Sequence, residues 1–214
     1  MQREKKISGG IYLIVDPSID ERKLLGKLEE AIQGNEIAAV QIWDNFLPSV
    51  NPESLVIKIC DLCHKNNIPV LINNNWQLFK TTDADGVHLD EAPENLEKIK
   101  RELNRSCMMG ITCNNDLSVV KWADENDLDY ISFCSIFTSS TSNSCEIVNF
   151  DTIGRARNIT STPIFLAGGI RPENMKDLKG LDFEGIAVIS GIMNSEDSNR
   201  ATKEYQIKLK AIKK

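Results

Sequence analysis

Histidine is nearly missing from this 214-residue chain, which carries only His64 and His88. Imidazole chemistry near neutral pH therefore has few places to occur. Cationic surplus is missing too: 25 Lys and Arg stand against 31 Asp and Glu, a net charge of -6. A general nucleic-acid partner is not expected on that balance, and any anion site must be local. No apolar run is long enough to cross a membrane, and residues 1–7 are polar and basic with no apolar stretch behind them, so no membrane partner is expected and a cytoplasmic protein is. The glycine fingerprint of an open dinucleotide-binding sheet is absent as well, since Val15 is followed by Asp16-Pro17-Ser18. The six cysteines show no zinc-like spacing. Cys60-Asp61-Leu62-Cys63-His64 matches a haem-attachment pattern, but it lies on an amphipathic stretch with Leu55, Val56 and Ile59, where buried thiols are expected instead.

What the chain does have is glycine at the ends of apolar runs. Residues 163–170 read Pro-Ile-Phe-Leu-Ala-Gly-Gly-Ile, and residues 185–192 read Gly-Ile-Ala-Val-Ile-Ser-Gly-Ile. A buried parallel strand reads this way where its carboxyl end opens onto a ligand. Glycine lets the backbone approach closely, and free N–H groups at a following helix start suit a phosphate. Gly168, Gly169, Ile189, Ser190 and Gly191 are accordingly candidate phosphate-binding residues.

Strand-like and helix-like segments alternate throughout. Strands are expected at 11–15, 38–43, 69–72, 86–89, 107–111, 130–136, 163–167 and 185–189. Helices are expected at 22–33, 53–65, 76–80, 94–103, 116–126, 151–157, 172–178 and 198–212. Eight units at this length imply a single-domain (β/α)8 TIM barrel over residues 1–214, with its site at the strand carboxyl ends; a doubly wound open sheet is the alternative. The barrel gathers 16, 41–45, 73–75, 90–91, 112–115, 137–144, 168–171 and 190–191 round one mouth. These residues are polar but mostly uncharged. The tract Thr138-Ser139-Ser140-Thr141-Ser142-Asn143-Ser144 offers hydroxyls to a phosphate, though an ordinary loop has the same composition.

The chain resembles the thiamine-phosphate synthases and their sister group, the thiazole tautomerases, along nearly its whole length. The resemblance is carried by Ile11-Tyr12-Leu13-Ile14-Val15-Asp16, Val40-Gln41, Val70-Leu71-Ile72-Asn73 and Ala84-Asp85-Gly86-Val87-His88-Leu89. It continues with Asp129-Tyr130-Ile131, Ile136-Phe137, Ala167-Gly168-Gly169-Ile170 with Asn174, and 185–191. It implies a thiazole-phosphate site at Gly169 and the backbone around Ile189 and Ser190. It further implies a reaction in which a hydroxymethylpyrimidine diphosphate ionises and the thiazole nitrogen captures the cation, with Mg2+ and cationic side chains on the leaving group.

The departures fall on that leaving group. Where the family has Gln-x-Arg-x-Lys, this chain reads Gln41-Ile42-Trp43-Asp44-Asn45. Asn74 and Pro93 stand at the two metal-carboxylate positions, and Ser142 stands for the lysine of the hydroxyl loop. The tautomerase histidine is Asn114, which moves no protons near neutral pH. Asp90 and Glu91 are candidate metal or catalytic carboxylates, with solvated acids opening a helix as the favoured reading. Cys113 is a candidate acid/base or nucleophile. Arg171 is a candidate phosphate clamp, read equally as a surface residue. Gln41, Asn73, Asn74, Ser139 and Thr141 complete the candidate ligand set, and His88 is read as a structural core histidine.

Three functions remain open on these residues. The favoured one is a divergent homologue that binds a small phosphorylated partner, thiazole phosphate or thiamine phosphate, with weak or absent synthase activity. The second is a working synthase that uses Mg2+ and a rearranged set of Asp90, Glu91 and Arg171. The third is a non-enzymatic interaction protein on the same barrel. A homodimer is compatible with all three.

Overall fold

The computed structural model describes residues 7–138 and 146–213. Eight parallel strands close into a barrel in sequence order: β1 (Gly10–Val15), β2 (Ile37–Ile42), β3 (Val70–Asn73), β4 (Gly86–Leu89), β5 (Met108–Cys113), β6 (Tyr130–Phe133), β7 (Ile164–Ala167) and β8 (Gly185–Val188). Closure is made by β8 against β1, with Gly10 opposite Gly185 and Leu13 opposite Val188. The helices are α1 (Glu21–Ile32), α2 (Pro52–His64), α3 (Trp76–Thr81), α4 (Leu96–Leu103), α5 (Leu117–Glu125), α6 (Phe150–Arg157), α7 (Ser190–Met193) and α8 (Ser198–Ile212).

The period-two alternation of the strands divides the apolar residues between two cores. Ile11, Leu13 and Val15 of β1 face outward into the layer beneath the helices, where Leu24 and Leu28 of α1 meet them. Tyr12 faces inward, with Ala39, Leu71, Tyr130, Phe165 and Ala187, and fills the lumen. Fully burying a Leu or Ile contributes roughly 1.5–3 kcal/mol, so the outer layer carries most of the stability. Cys60 and Cys63 belong to it as buried thiols of α2.

One device recurs at the amino-terminal face. The residues just before β4, β6 and β8 are acidic, and each accepts from the start of the preceding strand. Asp85 accepts from Val70 N at 2.8 Å, Asp129 from Met109 N at 2.7 Å, and Glu184 from Ile164 N at 2.5 Å. His64 and Arg157 pair with Asp85 and Glu184, both at 2.8 Å. These charge-assisted bonds lock strand register at the end away from the site.

Two expected elements need correction. Residues 172–178 form no α-helix; a 3-10 turn, Met175–Leu178, is all that winds there. Asn174 explains this, because its side chain turns back to donate to Gly169 O at 2.9 Å and accept from Arg171 N at 2.8 Å. The sixth strand stops at Phe133 instead of running to 136, where Ser135 takes a left-handed φ of 67°. α7, which has no counterpart among the expected helices, begins immediately after the last strand.

Candidate ligand site at the strand carboxyl ends

A cavity of about 500 Å³ opens at the carboxyl ends of the strands. Its floor is aromatic: Tyr12, Tyr130 and Phe165 lie with ring centroids 5.5–5.8 Å apart, and His88 stacks on Tyr130 at 5.6 Å. Gly110 makes room for this, since a Cβ there would overlap the Tyr130 ring.

One hydrogen-bonded chain crosses the floor, and its donor sense is determinate. The Asp90 carboxylate only accepts, so Asn73 turns its Nδ2 to Asp90 Oδ1 at 3.1 Å. Asn73 Oδ1 then accepts from Gln41 Nε2 at 3.3 Å, leaving Gln41 Oε1 to accept from the Tyr12 hydroxyl at 2.8 Å. Tyr12 has spent its one hydrogen, so Tyr130 donates to it at 2.7 Å, and His88 Nδ1–H donates to Tyr130 at 2.8 Å. The remaining His88 nitrogen, Nε2, accepts from the Thr112 hydroxyl at 2.9 Å. Every hydrogen therefore points towards Asp90. Burial holds His88 down at about 4 against the pull of Asp90, which keeps it neutral and in this single tautomer at pH 7. Burial raises both tyrosines well above their ordinary range, so they remain phenols.

The mouth is sorted by strand. After β7 and β8 lies the glycine cradle. Gly168 and Gly169 have φ of 90° and 64°, and a Cβ on Gly169 would sit 2.6 Å from the carbonyl oxygens of Phe137 and Thr138. Among the described residues, no acceptor meets the N–H of Gly169, Ser190 or Gly191. Tyr205 of α8 braces the cradle from behind by donating to Ile170 O at 3.0 Å. Arg171 lines the cavity on this side. Across from it, Trp43, Asp90 and Glu91 line the wall formed by the loops after β2 and β4. Between the two lies a hydroxyl shelf in which Thr112 and Ser132 sit opposite each other in the β5/β6 register.

A magnesium ion, expected for a working synthase, does not fit the residues present. The N–H of Asp90 donates to Asn74 Oδ1 at 2.9 Å, which settles the orientation of that amide. Its NH2 group consequently points at Asp44 Oδ2 at 2.9 Å and Asp90 Oδ2 at 2.8 Å. A donor group thus occupies the position between the carboxylates that a cation would take. No three His, Cys, Asp or Glu gather to hold a metal among the described residues.

Of the expected site residues, Gln41, Asn73, Asp90, Glu91, Gly168, Gly169, Arg171, Ile189, Ser190 and Gly191 all line the cavity. Asn74 stands at its rim beside Asp90. Ser139 and Thr141 lie outside the described residues. Cys113 is a correction: β5 alternation turns Thr112 inward and Cys113 outward, into the layer under the helices. There burial, with the nearby Asp116 charge, pushes its thiol up to about 12, which suits neither acid/base nor nucleophilic work. Tyr12, Tyr130, Ser132 and Tyr205 were missed. Tyr12, Tyr130 and Ser132 are polar groups at inward positions of otherwise apolar strands, which was the available signal; nothing local in α8 marks Tyr205.

The family model described as thiamine monophosphate synthase matches residues 11–192. A thiamine-phosphate synthase of Hydrogenobaculum sp. is 30% identical over 203 residues, covering 94% of each chain. Thiamine-phosphate synthase 1 of Aquifex aeolicus is 31% identical over 197 residues, covering 92% of this chain and 91% of its own. Among solved structures, a thiamine phosphate pyrophosphorylase from Pyrococcus furiosus superposes with a TM-score of 0.81 at 20% identity, covering 97% of this chain and 98% of its own.

Proposed function

Because this chain belongs to the thiamine monophosphate synthase family, we propose that it binds a phosphomonoester, thiazole phosphate or thiamine phosphate, at the strand carboxyl ends and has weak or no synthase activity. The observation that carries this reading is the contrast across a single cavity. The cradle side keeps open N–H groups on Gly169, Ser190 and Gly191, with Arg171 beside them. N–H groups so placed hold a phosphate without any reacting group. The far wall offers a diphosphate no counter-charge: it presents Trp43, Asp90 and Glu91, with Asp44 behind Asn74. An anion brought within 4 Å of one such carboxylate meets a repulsion of about 4 kcal/mol at the effective dielectric of a protein surface.

Synthase catalysis requires stabilising the negative charge that builds on departing diphosphate, and positive groups are the means. The substitutions at Trp43 and Asn45 remove two cations and those at Asn74 and Pro93 remove the carboxylates that would hold a metal, so binding persists where turnover fails. Calorimetry with thiazole phosphate and with thiamine phosphate, beside an assay for Mg2+-dependent formation of thiamine phosphate from the pyrimidine diphosphate, tests the reading. Clear binding without turnover is expected. Turnover at an ordinary synthase rate would overturn the claim of lost chemistry, and absence of binding by either phosphate would overturn the claim of a ligand site.

A further inference from the structure

Of the cradle glycines, Gly191 lacks a side chain for a reason of its own. It keeps an ordinary φ within α7, so the backbone does not demand glycine there. Space does. A Cβ on Gly191 would fall on the Tyr205 hydroxyl, with the Tyr205 ring carbons Cζ and Cε2 next nearest at 2.9 and 3.2 Å. The room left by the missing side chain is therefore filled from behind by α8. Tyr205 itself does not line the cavity.

The same hydroxyl donates to Ile170 O at 3.0 Å. It thus stands between the two segments that carry open N–H groups, the loop after β7 with Gly169 and the first turn of α7 with Ser190 and Gly191. α8 presents it on a fixed base. The buried stripe of that helix is Ser198, Thr202, Tyr205 and Leu209, whose spacing places them along one face. Three of the four bear hydroxyls, and a buried hydroxyl is costly unless it is hydrogen-bonded. Ser198 Oγ donates to Ile192 O in α7 at 3.0 Å, and Thr202 Oγ1 donates to Ser198 O at 2.8 Å. Two side chains of α8 therefore hold α7, and one of them also reaches the β7 loop. Burial pushes the Tyr205 hydroxyl up to about 12, so it keeps its hydrogen to donate at pH 7.

We propose that Tyr205 is a positioning residue for the cradle: its hydroxyl sets the gap between the loop after β7 and the first turn of α7, so that one phosphate reaches the N–H groups of both. This rests on the phosphomonoester reading above. The terminal oxygens of a phosphate ester bridge two sets of donors only when those donors stand at a matching separation. Without the hydroxyl, the bond to Ile170 O and the contact behind Gly191 are lost together. The grip on phosphate then weakens, while the rest of the cavity, which Tyr205 does not line, keeps its shape.

The test is calorimetry on the full chain with thiazole phosphate and thiamine phosphate as probes, and urea midpoints alongside, for the native sequence, Tyr205→Phe, Gly191→Ala and the double variant. Tyr205→Phe keeps the ring and removes only the hydroxyl. It is expected to weaken both esters by the same factor, about tenfold, the upper worth of one hydrogen bond, because the two share the phosphate and differ elsewhere. Gly191→Ala is expected to weaken them at least as much while the hydroxyl is present, and clearly less when combined with Tyr205→Phe, since the added methyl then takes the space of the hydroxyl. A merely structural Tyr205 would lower the urea midpoint without that relief in affinity. Full affinity in Tyr205→Phe, unequal losses for the two esters, or independent losses in the double variant would each overturn the inference and leave the phosphomonoester reading standing. Should Tyr205→Phe fold poorly, undiminished affinity in Gly191→Ala would overturn it in the same way. Failure of the native sequence to bind either ester would overturn both readings.

Discussion

At the scale of single residues, the site depends on atoms that have little freedom to change. Gly169 has a left-handed φ of 64°, and its missing Cβ would meet two carbonyl oxygens at 2.6 Å. Gly169→Asp is therefore expected to cost at least roughly 1–2 kcal/mol of stability from backbone strain alone, with the overlap on those carbonyls adding to it. It should also abolish calorimetric binding of thiazole phosphate, because a carboxylate then occupies the anion position; unchanged affinity would remove the cradle from the site. Cys113 supports a different expectation. With its thiol pushed up to about 12 in the outer core, it should resist alkylation at pH 8 in the folded protein and react only on unfolding, as peptide mass mapping would read.

Among the elements, the strand ends divide labour. The carboxyl ends hold the ligand cavity, whereas the amino ends are tied by Asp85, Asp129 and Glu184 to the strand before each. Asp129→Ala leaves the Met109 N–H without its side-chain acceptor and is expected to cost about 1–3 kcal/mol. A lowered urea midpoint with unaltered thiazole-phosphate affinity is the predicted result, since the lesion lies at the opposite face. An affinity loss as large as the stability loss would mean the two faces are coupled. The elements also explain why reading the chain fell short at residues 172–178. Pro172 and the acidic Glu173 look like a helix start, but Asn174 is committed to bracing Gly169, so only a 3-10 turn forms. A side chain that serves a distant loop overrides its local propensity.

For the whole molecule, the floor chain makes stability depend on pH in a definite direction. His88 is held at about 4, whereas an unfolded histidine titrates near 6.5. Between those values the unfolded chain binds the extra proton, so stability is full above about 6.5 and falls as pH drops towards 4. The slope of the urea midpoint across that window should flatten in His88→Asn; an unchanged slope would place the acid sensitivity in other groups. The two buried tyrosines act at the other extreme, where stability declines above pH 10 because only the unfolded chain can ionise them.

The order of apolar runs and glycines was enough to establish the barrel, because a strand buried on both faces writes its burial as a continuous apolar segment and its ligand end as glycine. The same one-dimensional pattern led to the cradle residues, and the resemblance to the family marked Trp43, Asn45, Asn74, Pro93 and Ser142 as the places where charge had changed. What it did not contain was which neighbour each polar group meets. That Cys113 faces away from the cavity while Thr112 faces into it depends on strand phase, which shifts with a one-residue change of boundary. That Asn74 presents its NH2 to two carboxylates, and that Thr112, His88, Tyr130, Tyr12, Gln41 and Asn73 form a single chain ending on Asp90, depends on six strands brought side by side by barrel closure. Hydrogen-bond direction is a property of pairs distant in sequence, so only the tertiary structure could decide it.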